Sequence, residues 1–208
     1  MALLHRATLH PTKLELVAGW VPQQPWASGA EPTEVVAAYR FDDPDGQVGL
    51  ETLLVRTADG GLVQLPLTYR AAELAGAGEA LIGTMEHSAL GTRWVYDAPR
   101  DPVHIAALTA VMRDGGSGAE LVDESGERIV RDTQAEVHGT GALRSRPVAP
   151  DRYEPDQRTN QSVSTTADGE FLVTYRRPLV ASPSDGVRAA LRGVWQGQAE
   201  TVTLAVLR

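Results

Sequence analysis

Apolar and polar residues alternate along most of this chain, so strands are expected to outnumber helices. Leu3 to Leu9 reads as a short strand, and Lys13 to Trp20 fits either a strand or one short helix. Glu34 to Phe41 reads as a strand closed by the turn-forming run Asp42-Asp43-Pro44-Asp45-Gly46. Val48 to Arg56 and Leu62 to Tyr69 flank Ala58-Asp59-Gly60-Gly61, a hairpin signal because Asp and Gly tolerate the positive φ of tight turns. Ala80 to Met85 and Thr92 to Tyr96 form a second expected pair around Glu86-His87-Ser88.

One stretch breaks the alternation. Pro102 to Arg113 has helical spacing, with Val103, Ala106, Ala107, Ala110 and Val111 on one predicted face. Asp101 is its expected N-cap and Pro102 suits the first turn. Asp114-Gly115-Gly116-Ser117-Gly118 stops it and reads as a linker. Beyond it, short runs at Ala119 to Val122 and Arg128 to Val130 flank a turn. Ala135 to Leu143, Ser162 to Thr166 and Glu170 to Arg176 are expected strands. Pro147 to Asp156 reads as an exposed connection, and Leu191 to Trp195 with Thr201 to Leu207 as a closing hairpin around Gln196-Gly197-Gln198. The predicted class is α+β: a predominantly antiparallel sheet with few helices, the clear one near residues 102–113. The expected division is a first subdomain over 1–114 and a β-rich one over 119–208.

Composition narrows the chemistry. The chain has 208 residues, 42% hydrophobic and 22% charged, which is a globular balance. It contains no cysteine, which excludes thiol catalysis, disulfides and Cys-based zinc sites. A net charge of -8 argues against general binding to nucleic acid or anionic membranes, while leaving room for a local basic patch. The amino terminus lacks the layout of a signal peptide, and no apolar run reaches the roughly 20 residues that span a bilayer. The cytoplasm is the expected location.

Motifs for catalysis are sparse. Lys13 is the only lysine, and its surroundings do not form a P-loop. Gly76 and Gly78 begin a GxG, but Leu81 stands at the third glycine; Gly139-Thr140-Gly141 is no better. His5, His10, His87, His104 and His138 show no metal-binding spacing, so no metal site is expected. Asp42, Asp43 and Asp45 suit a solvated turn better than a calcium loop. No serine lies in a GxSxG elbow. Trp20, Trp26, Trp94 and Trp195 carry large apolar surfaces, for packing or for stacking on a sugar. Arg93, Arg100, Arg176 and Arg177 are candidates for an anion or partner patch.

Three segments resemble one family. Trp20-Val21-Pro22-Gln23-Gln24-Pro25-Trp26 resembles the signature that opens the N-terminal cap of actinobacterial maltokinases, with Pro25 where that pattern carries Arg. The block from Thr52 to Arg113, with its LPLTYR, ALIGT and RWVYDAPRDPV runs, is similar to the caps in order. Asn160-Gln161-Ser162-Val163 and then FLVTYRRPL resemble the first strands of the kinase N-lobe. The resemblance implies a cap-like shape followed by a truncated, degenerate N-lobe. Matching the paired arginines Arg176 and Arg177 puts Val173 where that family carries its phosphate-binding lysine. Kinase chemistry needs a cation on the nucleotide phosphates and carboxylates for magnesium. No HRD-like loop or DFG-like metal site is seen, and the sequence stops at Arg208, before a catalytic lobe.

These departures favour a non-catalytic binding or regulatory module, without a cofactor, serving a protein partner in maltose, trehalose or α-glucan metabolism. Trp20, Trp26, Trp94, Arg93 and Asp97 are the candidate ligand or partner residues. One alternative is an enzyme acting on a sugar or phosphosugar through Glu51, Glu86, Asp97 or Asp101. Another is a homodimer joined through strand edges or the tryptophan-bearing surface.

Overall fold

The computed structural model describes residues 2–3, 6–141, 160–179 and 186–208. Its elements in chain order are β1 (Ala2–Leu3), β2 (Leu9–His10), α1 (Lys13–Trp20), β3 (Pro32–Phe41), β4 (Gly49–Thr57), β5 (Leu62–Arg70), β6 (Leu81–His87), β7 (Gly91–Asp97), α2 (Pro102–Asp114), β8 (Leu121–Val122), β9 (Arg128–Ile129), β10 (Glu136–Gly139), β11 (Gln161–Thr165), β12 (Phe171–Leu179), β13 (Ala189–Trp195) and β14 (Gln198–Leu207). Strands account for 47% of the structure and helices for 17%, in keeping with the β-dominated α+β class.

A six-stranded antiparallel sheet has the order β2-β6-β7-β5-β4-β3, and a five-stranded one the order β10-β13-β14-β12-β11. A small three-stranded sheet joins β1, β8 and β9. The β4–β5 and β13–β14 hairpins form where the turn chemistry placed them, with Gly60 and Gly197 at positive φ. Leu3 to Leu9 is not one strand: β1 and β2 are separated and belong to different sheets. The expected connection at Pro147 to Asp156, the end of the Ala135 to Leu143 strand, and His5 lie outside the described residues.

Helix α1 resolves the ambiguity at Lys13 to Trp20. Its start is a capping box, in which Glu15 N–H donates to Thr12 Oγ1 at 3.3 Å and Thr12 N–H donates to Glu15 Oε2 at 2.8 Å. Helix α2 starts where Asp101 accepts from Val103 N–H at 3.0 Å. It stops at Gly115, which adopts the left-handed conformation at φ 67°.

The buried face of α2 overlaps the expected one in part: Val103, Ala107 and Val111 pack half-buried against the core. His104, Leu108, Thr109 and Met112 point inward, while Ala106 and Ala110 are exposed. Burial follows side-chain volume: Leu108 and Met112 gain more from leaving water than alanine does.

The two large sheets share a core. Tyr39, Phe41, Leu50 and Leu54 from one face of the six-stranded sheet pack with Leu108 and Met112 of α2 and with Leu172, Leu191, Leu204 and Leu207 of the five-stranded sheet. The opposite face of the six-stranded sheet packs Leu53, Val55, Val63, Leu65 and Val95 beneath Val17 of α1 and Val21. Strand β7 pairs with β5 only from Leu67 to Arg70, and β12 packs beside β5. Gln64 of β5 ties this junction together. Its Nε2 donates to the carbonyls of Tyr175 (2.8 Å) and Leu204 (3.0 Å), and its Oε1 accepts from Tyr39 OH (3.2 Å). Gly139 is required by close packing, because a Cβ there would run into the Val111 carbonyl and Met112 Cα of α2.

Candidate functional site

The strand register sorts the polar residues of the six-stranded sheet by face. Arg40 lies opposite Glu51 on β3 and β4, and Gly49 lies opposite Tyr69 on β4 and β5. Tyr69 lies opposite Val95, and Arg93 follows two residues along the same face of β7. Because side chains alternate along a strand, Arg40, Gly49, Glu51, Tyr69 and Arg93 all belong to the α1 face. Toward the Tyr69–Arg93 end that face is polar and borders a cavity of about 520 Å³. Lys13 enters it from the first turn of α1, and Arg131 and Asp43 from the loops around it.

Within the cavity Lys13 Nζ lies 2.6 Å from Glu51 Oε2 and donates to Oε1 at 2.7 Å. Tyr69 OH donates to Glu51 Oε2 at 2.9 Å, and the ammonium sits 5.8 Å from the Tyr69 ring centroid. Burial pushes the Glu51 carboxyl up, but Lys13, Arg40 and the hydrogen bonds from Lys13 and Tyr69 outweigh it and hold it below the usual carboxylate range. Burial, and then the Glu51 charge, push the Tyr69 hydroxyl well above its ordinary value. Glu51 is thus an ionised acceptor with its donors in place. Asp43 accepts from the backbone N–H groups of Asp45, Gln47 and Val48, which closes the Asp42 to Gly46 turn. The arginines are less committed. Arg93 donates from Nη2 to the Leu90 carbonyl at 2.6 Å, while the buried Nε atoms of Arg40 and Arg93 have no acceptor among the described residues.

A second polar cluster lies where β7 leaves the sheet. Arg176 has no exposed surface, and Asp97 is 14% exposed. Arg176 donates from Nη2 to Asp97 Oδ2 at 2.5 Å and from Nε to Ser162 Oγ at 2.8 Å. Its guanidinium carbon lies 4.6 Å from the Trp26 ring centroid, and Trp26 packs on Trp20 at 5.9 Å. Nearby, Arg70 makes a bidentate pair with Asp101 at 2.7 Å for both bonds. His104 is buried, and burial lowers its pKa to about 4, with Asp101 opposing and Arg176 reinforcing that shift.

The sequence-predicted residues therefore divide among three places. Arg93 borders the cavity, Trp20, Trp26 and Asp97 gather around Arg176, and Trp94 faces the opposite side of the sheet from Arg93. The four candidate arginines do not converge: Arg100 is exposed, and Arg177 lies at the Gly61 turn. Of the four candidate carboxylates, Glu51 lines the cavity, Asp97 and Asp101 are bound to buried or half-buried arginines, and Glu86 accepts from Thr92 Oγ1 at 2.7 Å on the surface. Arg40, Gly49 and Tyr69 were not singled out from the sequence. The available signal was an arginine, a glutamate and a tyrosine inside otherwise apolar strand runs, joined by short hairpins that set their register.

Val173 is 1% exposed and packs with Val187, Ala190 and Val206 on the outer face of the five-stranded sheet. Among the described residues, no group of three or more His, Asp or Glu gathers in a metal-binding arrangement. No helix there is long and apolar enough to cross a membrane.

None of the curated proteins compared with the chain matches it. The matched family segment takes in β3 to β7 and the cavity residues Arg40, Glu51, Tyr69 and Arg93, while Lys13 and Arg131 fall outside it. That segment, residues 20–101, matches the family model of the maltokinase N-terminal cap domain.

Proposed function

We propose that this chain is a non-catalytic binding or regulatory module related to maltokinase caps, acting beside an enzyme of maltose, trehalose or α-glucan metabolism. The family match supports the relationship. One observation supports the non-catalytic part: Val173, where the resemblance puts the family's phosphate-binding lysine, is an aliphatic side chain packed among valines and alanine. The nearest cation along the strand, Arg176, is bound to Asp97, Ser162 and the Trp26 face, and so is not positioned to grip a nucleotide. The sole lysine is paired with Glu51 on a different sheet.

The test is phosphotransfer from labelled ATP with magnesium to maltose, trehalose and glucan by the purified chain. No turnover above buffer is expected, and turnover that survives re-purification refutes the reading. Affinity purification from the native organism is expected to retain an enzyme of α-glucan metabolism, and its repeated absence removes the partner assignment.

An enzymatic reading has one observation in its favour, the placement of ionised Glu51 in a cavity. A carboxylate held ionised by Lys13 and Arg40 is a poor proton donor at neutral pH, which leaves it only a base or nucleophile role.

A further inference from the structure

We infer that the cavity between α1 and the Gly49–Tyr69–Arg93 end of the six-stranded sheet binds a small anionic metabolite, with Arg40 and Arg93 gripping its phosphate or carboxylate. The inference deepens the binding-module reading and rests on it, since it names the ligand class of such a module.

Charge accounting within the cavity supports an anion. Lys13 and Glu51 neutralise each other, and Asp43, which keeps its charge, accepts from three backbone donors. Of the other charges on the lining, Arg40, Arg93 and Arg131 outnumber Asp42 and Asp43 by one. The chain as a whole carries a net charge of -8, so this local cationic excess runs against the general field and marks one place where an oxyanion is attracted.

Geometry brings two of these arginines toward each other. Arg40 originates on β3, yet its Nη2 lies 3.5 Å from where a Cβ would stand on Gly49, and Tyr69 Cβ lies 3.4 Å from that same point. The guanidinium therefore crosses the β4 backbone and reaches the Tyr69 side, which the missing side chain at Gly49 leaves open. Arg93 stands on β7, the next strand after Tyr69, roughly 5 Å farther across the sheet and two residues, roughly 7 Å, farther along it. Both Nε atoms are buried without an acceptor among the described residues. A buried guanidinium donor without a partner costs free energy that a bound oxyanion would recover. The planar donor pattern of arginine fits phosphate and carboxylate oxygens bidentately, and the cavity volume suits a monosaccharide phosphate or a compact polycarboxylate.

The experiment is titration calorimetry of the full chain at low salt with inorganic phosphate, glucose 6-phosphate, citrate and neutral glucose, with amide chemical-shift mapping of the same ligands. Saturable binding of at least one anion is expected, with shifts centred on Arg40, Tyr69 and Arg93, and none of glucose. Glucose 6-phosphate alone would identify phosphate as the recognised group, and citrate alone a carboxylate. Arg40→Gln and Arg93→Gln should each weaken binding about tenfold or more, as the loss of a charge-assisted hydrogen bond requires. Arg177→Gln, outside the cavity, should leave it unchanged. If Arg40→Gln unfolds the chain, Gly49→Leu, which fills the floor, should abolish binding in a folded protein. No binding of any anion at millimolar concentration overturns the inference, as does equal weakening by Arg177→Gln or tighter binding of glucose than of the anions. Such a failure leaves the binding-module reading standing, whereas phosphotransfer turnover removes that reading whatever the cavity binds.

Discussion

Changing Asp97 to asparagine removes the charge partner of a guanidinium that has no exposed surface. The 2.5 Å bond to Arg176 Nη2 is replaced by a neutral contact, while the cation stays in place, held by Ser162 Oγ and the Trp26 ring. Removing one partner of a buried ion pair typically costs about 3–5 kcal/mol, because the remaining charge cannot recover its hydration. Asp97 keeps some exposure, so the lower end, about 3 kcal/mol, is expected. For a chain of this length that corresponds to a fall in Tm on the order of 6–12 °C. Urea unfolding, followed by tryptophan fluorescence and far-UV circular dichroism, measures it directly. The informative companion is Asp97→Asn with Arg176→Met, which removes the stranded charge and should recover most of the loss, to within about 1–2 kcal/mol of the starting protein. A single variant within about 1 kcal/mol of the parent, or a double variant with simply additive losses, would show that Arg176 is not stabilised by Asp97. The result also bears on catalysis: loss of activity in Asp97→Asn counts toward a catalytic carboxylate only where the variant is shown to be folded at the assay temperature.

Three further outcomes are expected. His104 stays neutral in the fold down to about pH 4, against an ordinary value of 6.5. Its contribution is complete above pH 6.5 and is lost as pH falls toward 4, by about 3 kcal/mol at most; unfolding midpoints of His104→Leu across that window should show a shallower loss, and an unchanged slope refutes it. Gln64→Leu strands the Tyr175 and Leu204 carbonyls and the Tyr39 hydroxyl, at a cost of about 3 kcal/mol in urea unfolding. Gly139→Ala forces a methyl into the Val111 carbonyl and the α2 backbone and should lower Tm by on the order of 5 °C or more; an unaltered Tm would mean that α2 can move aside.

Local chemistry made much of the fold readable. The Asp101 cap, Pro102 and the glycines after Asp114 bound α2 to within a residue, and turn residues placed the β4–β5 and β13–β14 hairpins. The capping box Thr12-Lys13-Leu14-Glu15 was also present and would have decided α1 in favour of a helix. What was not readable depends on distant packing. The inward face of α2 is chosen by the sheets it meets, and so His104 rather than Ala106 is buried. Arg93 was recognisable as a candidate, but its place on the same face as Arg40 needs the register of four adjacent strands. Asp97 and Arg176 are 79 residues apart in sequence, and no local pattern links them.

The short pairing of β7 with β5 has a practical consequence for how the chain can be cut. Residues 20–101 form the part recognisable by family, but the strip of β5 that β7 leaves uncovered is closed by β12, from far downstream. A fragment trimmed to the recognisable portion would bare an amide built to meet two missing carbonyls and a carboxylate that has lost its counterion. Stability and family likeness thus draw their borders in different places, and a soluble recombinant form of residues 20–101 should require the carboxy-terminal strands as well.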